Sequence, residues 1–363
     1  MKKKTALGLS ILMSLSVLSA CGQLKAEDKV ATAGKEEIKA SVASLYLRYQ
    51  QAQVETYYGS MLGEALWDTK MTGEETYAET TKKTAIESLQ EFYLLKAHAK
   101  DYKVKISKEE QESIDKTAKA YIEANDKKTL EYMMADESTV KELLELYTYQ
   151  KHMEEALTKD VKTEVSDEEA AQTKITYVRF STTASSQGDN GNKKLTEEEK
   201  AAIKEKAQKV YEKVAAVEDI AGADMDALAK EVDEKAYASS PSYGSDDKSL
   251  DEKVKEAVKG LEDGSLAPSL IEGKDAYYVV RLDKAFDEDA TKNKKDSIVE
   301  ERKQEAYKKQ VDAWKKSDGT SVNKKNWKKI ELSNAVSFKI KTDVPTEGGS
   351  GAVSTEDTAK TSE

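Results

Sequence analysis

The chain is poor in the residues that break helices and in those that build metal or disulfide sites. Its 363 residues include 3 prolines, 17 glycines and 4 phenylalanines. So few helix breakers predict a mostly helical protein, because a helix interior tolerates proline and glycine least. The single cysteine excludes an intramolecular disulfide framework and a cysteine-rich zinc site. The two histidines, His98 and His152, argue against a histidine-based metal site or a Ser-His-Asp triad.

Charged residues, in contrast, are abundant. They make up 35% of the chain, beside 38% hydrophobic residues, and 58 basic against 69 acidic side chains give a formal net charge of −11. An acidic protein binds nucleic acid poorly, so we expect no nucleic-acid partner. We also expect no cofactor and no metal.

The N-terminus has the composition of an export signal. Three lysines at 2–4 precede an apolar stretch at 7–18, which is too short to span a bilayer comfortably. The stretch ends in Leu18-Ser19-Ala20-Cys21, which resembles a bacterial lipobox. The resemblance implies a signal peptide over 1–20, lipidation of Cys21 and a lipid tether over 21–28. The alternative is an ordinary signal peptide followed by a chance cysteine.

The next part of the chain reads as a hairpin followed by amphipathic helices. Lys29–Ile38 has strand residues around Gly34, which can supply a turn with positive φ. Apolar residues at helical spacing then predict helices from Val42 onwards and over 72–102 and 137–160. Ser107 and Glu110 have the spacing of a capping box and predict a helix start.

Tyrosines recur along these predicted helices and allow two interpretations. They are either half-buried packing residues with wet hydroxyls, or the walls of a cradle for unfolded polypeptide. In the second interpretation the flexible side chains of Met61, Met71, Met133 and Met134 help to accommodate varied clients. The tyrosines concerned are Tyr46, Tyr49, Tyr57, Tyr58, Tyr77, Tyr93, Tyr102, Tyr121, Tyr132, Tyr147 and Tyr149.

From Lys174 the pattern becomes mixed. The alternating segment 175–180 predicts a strand, and 277–282 predicts a closing strand. Between them the sequence predicts a loop over 181–194 and helices starting at Thr196, Met225 and Ser249, with a turn at Gly264. The order contains no βαβ series, which favours a small α+β domain.

Several of these segments match the motifs of one family. The matching stretches are the hairpin at 30–34, the helix Met225–Val232, the turn Gly264-Ser265-Leu266 and the strand Ala276–Leu282. The mixed segment resembles a parvulin-type peptidyl-prolyl isomerase domain. The whole chain resembles the PrsA-type foldase lipoproteins, whose relatives include the SurA-type periplasmic chaperones.

The resemblance implies an architecture that is mostly α with a small α+β insert. A helical SurA/PrsA-like chaperone domain would comprise the N-terminal segment 29–172 and the C-terminal segment 287–342, with Trp314 and Trp327 anchoring the latter. A parvulin-like domain would occupy 173–286. The Gly-, Ser- and Thr-rich tail 343–363 is expected to be disordered.

The sequence departs from the parvulin pattern where that family is catalytic. Tyr177 and Tyr278 occupy the positions of two histidines, Asp233 falls near an acidic or cysteine position, and Val254 replaces a pocket phenylalanine. These four residues are the candidates for the cleft, and none is assigned a catalytic role. Isomerising an X-Pro bond needs only tighter binding of the twisted amide, so weak activity stays open without the histidines.

The sequence therefore predicts a lipid-anchored folding factor on the extracytoplasmic face of a bacterial membrane. Its partners would be unfolded or newly secreted polypeptides and, through Cys21, the membrane; a homodimer is left open. The alternatives are an active peptidyl-prolyl isomerase and a solute-binding lipoprotein. The latter is disfavoured because the chain lacks the repeated β-α alternation of a two-lobed binding fold.

Overall fold

The computed structural model describes residues 11–15, 24–62, 65–70, 73–183, 195–333 and 336–340. Its helices in chain order are α1 (Ala40–Leu62), α2 (Tyr77–His98), α3 (Lys108–Ala124), α4 (Lys127–Met133), α5 (Glu137–Thr158), α6 (Asp167–Ala170), α7 (Glu197–Ala215), α8 (Met225–Lys230), α9 (Glu252–Val258), α10 (Glu288–Asp318) and α11 (Lys324–Trp327). Its strands are β1 (Ile11–Leu15), β2 (Lys29–Ala33), β3 (Glu36–Lys39), β4 (Thr173–Ser181), β5 (Ala238–Ser239), β6 (Ser242–Tyr243), β7 (Ile271–Glu272), β8 (Ala276–Lys284), β9 (Thr320–Val322) and β10 (Val336–Ile340).

The chain divides into two compact units. The first, here called the helical unit, comprises Met1–Asp160 and Gln304–Glu363; the second, the sheet unit, comprises Val161–Lys303. The prediction of a mostly helical chain that also carries a small α+β part is confirmed at this level.

A small sheet of the helical unit joins the N-terminal hairpin to a strand of the C-terminal segment. The predicted hairpin is confirmed: β2 pairs antiparallel with β3, and Gly34 in its turn has φ +57°. On its other side β2 pairs with β9, with Ala31 opposite Val322. Gln90 of α2 donates to the carbonyls of Thr32 and Ser321 at 3.1 and 3.0 Å, and so connects the helices to both strands. A separate two-stranded sheet pairs β1 with β10.

The core of the helical unit contains side chains from both chain segments. Val42 and Leu45 of α1 are buried together with Leu89 of α2, as their helical spacing predicts. Trp314 and Trp327 lie in the same core. The Trp314 ring stacks on His98 with centroids 4.2 Å apart, and the Lys82 ammonium lies 5.2 Å from the centroid of the Trp327 ring. Both tryptophans therefore bind the C-terminal segment to the N-terminal helices.

Side-chain caps set where the helices begin. Ser107 and Glu110 form the predicted capping box at the start of α3, with Glu110 N donating to Ser107 Oγ at 3.2 Å. The helix predicted over 72–102 begins only at Tyr77, because Thr76 and Glu79 form a second capping box there. A cap satisfies backbone N–H groups that have no partner within the helix, and so defines its first turn.

The sheet unit is built on an antiparallel sheet. Its strand order is β5-β4-β8-β7, and β6 also pairs with β4. The long pair β4–β8 places Tyr177 opposite Val280 and Arg179 opposite Tyr278. Successive side chains of a strand point to opposite faces, so each face of this sheet carries its own core.

The two cores of the sheet unit lie on opposite faces of β4 and β8. One contains Ile175, Tyr278 and Val280 and is covered by α9. The other contains Val178 and Val279 and is covered by α7 and α8. Residues 175 and 177 thus belong to the α9 face, while 178 and 180 belong to the α7/α8 face.

The helix predicted to start at Ser249 begins three residues later in the structure. The Asp247 carboxylate accepts hydrogen bonds from the backbone N–H groups of Ser249 and Leu250, at 2.6 and 3.2 Å. This local turn competes with the helix, which begins at Glu252 after Asp251 as N-cap. The turn at Gly264 is confirmed, with φ +81°. Residues 184–194 of the predicted loop lie outside the described residues.

The sheet unit is wider than the predicted insert 173–286. Arg302 of α10 donates to the carbonyls of Lys162 and Glu164, at 3.0 and 3.1 Å, and pairs with Glu169 at 2.5 Å. Gln172 N donates to Thr291 Oγ1 at 3.1 Å. These contacts tie residues 161–172 and the first half of α10 to the sheet unit, so its bounds are 161 and 303. These contacts join residues that are far apart in the chain, so no local sequence pattern predicts them.

Candidate functional site

Tyr177 and Tyr278 come together on the α9 face of the sheet. They lie on adjacent strands, diagonally across the pair β4–β8, and their ring centroids are 5.8 Å apart at an angle of 71°. Diagonal neighbours on a sheet are within reach of aromatic side chains, which explains this edge-to-face contact. Val254 of α9 is fully buried in the same cluster.

The hydroxyl of Tyr278 is held at one end of this cluster. Arg179 lies opposite Tyr278 in the register, and its Nε donates to the Tyr278 hydroxyl at 3.3 Å. The Tyr278 residue is 7% exposed. This tyrosine therefore has an apolar body inside the core and an engaged polar tip, as buried tyrosines usually do.

Asp233 lies apart from the other three candidates. Its backbone N–H donates to the Ala229 carbonyl at 2.9 Å, just after α8, and its carboxylate accepts from Lys206 of α7 at 2.7 Å. The hydrogen bond from Lys206 is the main cause that lowers the pKa of this carboxyl. Asp233 thus belongs to the α7/α8 layer, and the sheet separates that layer from the tyrosines. The four predicted residues do not line one cleft.

A larger concave site lies within the helical unit. A pocket of ≈ 860 Å³ is lined by residues of α1, α2, α3 and α5. Its aromatic side chains are Tyr46, Tyr49, Phe92, Tyr121 and Tyr147. Aliphatic side chains, among them Ile114 and Leu143, complete the walls. Pockets of this size and apolar character are where proteins usually hold ligands.

The aromatic wall is ordered by contacts among its own members. The Phe92 ring lies 5.8 Å from Tyr46 and 5.4 Å from Tyr147, measured between centroids. Gln50 and Gln53, one turn further along α1, donate to the hydroxyls of Tyr46 and Tyr49, both at 3.0 Å. The wall thus combines broad ring surfaces with amide and hydroxyl groups.

Two acidic side chains that line the pocket are engaged with other parts of the unit. Glu110 of α3 pairs with His152 of α5 at 2.9 Å, and Glu91 of α2 accepts from Tyr307 and Lys315 at 2.8 and 2.9 Å. The backbone N–H of Ser107 is the main cause that lowers the pKa of Glu110. These charges belong to the framework of the pocket, and its aromatic wall is uncharged.

Of the four methionines expected to help line a cradle, Met133 lies inside the core instead. Met133 is fully buried, and its sulfur accepts from the Tyr121 hydroxyl at 3.5 Å. Met134 is the left-handed C-cap of α4, with φ 56°. The side chains of Met61 and Met71 lie outside the described residues, as does Cys21. Among the described residues, no helix is long and apolar enough to cross a membrane.

Comparison with solved structures finds similar proteins. The foldase protein PrsA from Streptococcus pneumoniae is 20% identical, with a TM-score of 0.28 over 72% of this chain and 97% of that chain. The peptidylprolyl isomerase PrsA from Bacillus anthracis is 14% identical, with a TM-score of 0.26 over 63% of this chain and 96% of that chain. At these values the likeness establishes neither family nor activity.

Comparison at the level of sequence adds no relative. No family model and no curated protein matches the chain.

The sequence offers the tyrosines of the pocket as candidates for a cradle, beside the interpretation that they only pack, and it does not single out every other lining residue. Thr117 and Ile114 of α3 and the two glutamines of α1 had not been singled out. The available signal was weak: Gln50 and Gln53 each follow a tyrosine by four positions, which places amide and hydroxyl on the same helix face. Which helix faces meet is a tertiary property, and spacing within one helix does not report it.

Proposed function

We propose that this protein is an extracytoplasmic folding factor that binds unfolded segments of exported polypeptides. The observation that carries the proposal is the tyrosine-lined pocket of ≈ 860 Å³ in the helical unit. Tyrosine rings offer apolar area at low entropic cost, and their hydroxyls and the neighbouring amides can bond to a peptide backbone. An uncharged aromatic wall suits apolar segments of varied sequence better than a phosphorylated or metal-bound ligand.

In this proposal Cys21 is lipidated and holds the protein at the outer face of the membrane. The support is the lipobox-like sequence Leu18-Ser19-Ala20-Cys21, in which the only cysteine of the chain has the required position. Attachment by more than one acyl chain is stable, whereas a single chain binds only reversibly.

The sheet unit is proposed to bind extended polypeptide without efficient isomerisation. Tyr177 and Tyr278 stand where the parvulin pattern has histidines, and a phenol does not titrate near neutral pH as an imidazole does. The second candidate function, an active peptidyl-prolyl isomerase, is favoured by the ring contact of these two tyrosines at 5.8 Å. Their hydroxyls could donate to a twisted amide.

The pocket is tested by blocking it from α3. Thr117 lines the pocket and is half-buried. Thr117→Trp should fill part of the cavity and reduce the suppression of client aggregation, while Thr117→Val, which keeps the size of the side chain, should leave it nearly unchanged. Equal activity of both variants, with unchanged thermal unfolding, would show that clients bind elsewhere.

A proline-limited refolding assay separates the two candidate functions. The slow phase of such a substrate takes ~10–100 s at 25 °C without a catalyst. The proposed folding factor suppresses aggregation and barely changes this phase. Strong acceleration would favour the isomerase instead.

A further inference from the structure

One short segment of this acidic protein is strongly basic. Residues 323–330, here called the basic turn, contain Lys324, Lys325, Lys328 and Lys329 and no acidic residue. All four lysines are exposed. The chain as a whole has a formal net charge of −11, so the basic turn reverses the sign of the charge locally. Clustered lysines on a rigid element form a surface for polyanions.

The structure holds the basic turn against β2 of the helical unit. The Asn323 backbone N–H donates to the Val30 carbonyl at 2.8 Å, and Asn326 Nδ2 donates to the Lys29 carbonyl at 2.9 Å. Trp327 and Ile330 are buried in the core beneath. The lysines are thus displayed by a segment whose backbone is fixed beside β2.

The nearby acidic side chains face basic partners. Glu37 pairs with Lys29 at 2.8 Å, and Glu27 pairs with Lys39 at 2.7 Å. Glu331, which follows the turn, interacts electrostatically with Arg48 and Lys82. The carboxylates of the hairpin and of Glu331 are thus engaged by Lys29, Lys39, Arg48 and Lys82, and the positive charge offered to a ligand is that of Lys324, Lys325 and Lys328.

The basic turn is bound to β2, which begins eight residues after Cys21 in the chain. Leu24 packs against the core of the helical unit, and Asp28 N donates to the Lys25 carbonyl at 3.0 Å in the turn that leads into β2. Cys21 precedes Leu24 by three residues, so even a fully extended link spans at most about 11 Å. Whatever Cys21 is attached to is therefore tied within about 11 Å of Leu24, which precedes the start of β2 by five residues.

We propose that the basic turn is a second membrane contact, which binds anionic lipid headgroups beside the acylated Cys21. The inference rests on the proposed lipidation for its place in the cell. Near an anionic surface each lysine strengthens binding about fivefold, provided that it lies within a Debye length. Attachment through Cys21 raises the effective concentration of lipid headgroups around the basic turn. A few lysines are then enough to hold the turn at the membrane. The contact orients the helical unit on the membrane.

The test uses the thiol itself as the anchor. The mature chain 21–363 is coupled through Cys21, its only cysteine, to a maleimide lipid in vesicles. Acetylation rates of individual lysines are then measured by mass spectrometry on phosphatidylglycerol and on phosphatidylcholine vesicles. We expect Lys324, Lys325 and Lys328 to react at least about fivefold more slowly on phosphatidylglycerol at ~0.01 M salt, and this protection to vanish at ~1 M salt.

Exposed lysines of the same unit are the internal control. Lys105, Lys116 and Lys128 are exposed and lie on other segments, so their rates should not depend on the lipid. Equal rates for the basic turn on both lipids, or equal protection of the control lysines, would overturn the proposal. A third sample contains phosphatidylcholine vesicles and soluble polyphosphate. If polyphosphate protects the lysines of the basic turn as strongly as phosphatidylglycerol does, the ligand is a free polyanion and the proposal is wrong. Because the maleimide coupling replaces lipidation, the vesicle test does not depend on whether Cys21 is lipidated in cells. Lipidation is tested separately, by fractionation of cells.

Discussion

Tyr278 buries its ring beside Val254 while its hydroxyl accepts from Arg179 at 3.3 Å. Tyr177 contacts the same ring from the adjacent strand. In this arrangement the ring area of both residues supports the core of the α9 face, and the Tyr278 hydroxyl adds a polar contact at one end. Packing and chemistry can therefore be separated by removing the hydroxyls alone.

Replacing either tyrosine by phenylalanine tests this separation. Tyr177→Phe and Tyr278→Phe should leave suppression of client aggregation nearly unchanged, because the ring and its apolar area remain. Loss of a hydrogen bond at Tyr278 should lower the free energy of unfolding by about 1 kcal/mol, read by denaturant titration. If the wild type accelerates proline-limited refolding and either variant abolishes it, the hydroxyls are catalytic and the proposal of an inefficient isomerase is wrong.

Cys21 is the residue on which the proposed lipid anchor depends. Cys21→Ala should release the protein from the membrane fraction, because the acyl chains supply most of the membrane affinity. Thermal unfolding of the part described from Leu24 onwards should not change, since the residue precedes that core. Continued membrane fractionation of Cys21→Ala after a salt wash would contradict the lipobox interpretation.

At the level of the secondary-structure element, α3 combines a cap with a pocket wall. Its capping box is formed by Ser107 and Glu110, and Glu110 also pairs with His152 of α5. Ile114 and Thr117 of the same helix line the pocket. The start of α3 is thus fixed both by its own backbone and by a contact to the opposite wall, and its capping should affect binding as well as stability.

The cap has a pH dependence whose sign follows from Glu110. Hydrogen bonds from Ser107 lower the pKa of Glu110 below its usual value, so the folded protein binds the proton more weakly than the unfolded chain. This contribution is fully present above the unfolded pKa of about 4.3 and is lost as the pH falls through the lower folded value.

Ser107→Ala is the corresponding test. The loss of the cap should cost about 1 kcal/mol at pH 7, measured by denaturant unfolding. The difference from wild type should shrink below about pH 4, where protonated Glu110 no longer supports the cap. A difference that is the same at both pH values would mean that Glu110 does not contribute.

For the whole molecule, the decisive feature is that the helical unit is built from two distant segments. Trp314, Trp327 and Ile330 complete the core of α1 and α2, and β9 pairs with β2. The sheet unit lies between these segments in sequence and has separate cores. Each unit therefore has its own hydrophobic clusters among the described residues.

Deletion of 161–303 should therefore leave a folded protein. With a short Gly/Ser linker in its place, the remaining chain should melt cooperatively by circular dichroism with its helical signal retained. Trp314→Ala in the deleted chain should destabilise it by about 3–5 kcal/mol, because it removes a buried aromatic side chain. Non-cooperative melting of the deletion chain would show that the sheet unit is needed for the helical fold.

Much of the local structure was predictable because it depends on neighbours in the chain. The hairpin at Gly34, the caps at Ser107 and Thr196 and the strands β4 and β8 follow from backbone preferences and hydrophobic spacing. The sequence predicts the start of α9 too early, at Ser249, because the Asp247 side chain bonds the following N–H groups, an alternative that composition does not reveal.

The sequence by itself determined the helical character, the strand order along the chain, the acidic charge and the single cysteine at a lipobox-like position. Only the tertiary structure decided that Asp233 lies across the sheet from Tyr177 and Tyr278, that four helices enclose a tyrosine-lined pocket, and that the basic turn sits on β2. The reason is physical. Helices and turns are set by contacts within a few residues, whereas a site depends on which faces become buried together, and that is decided by packing between distant segments.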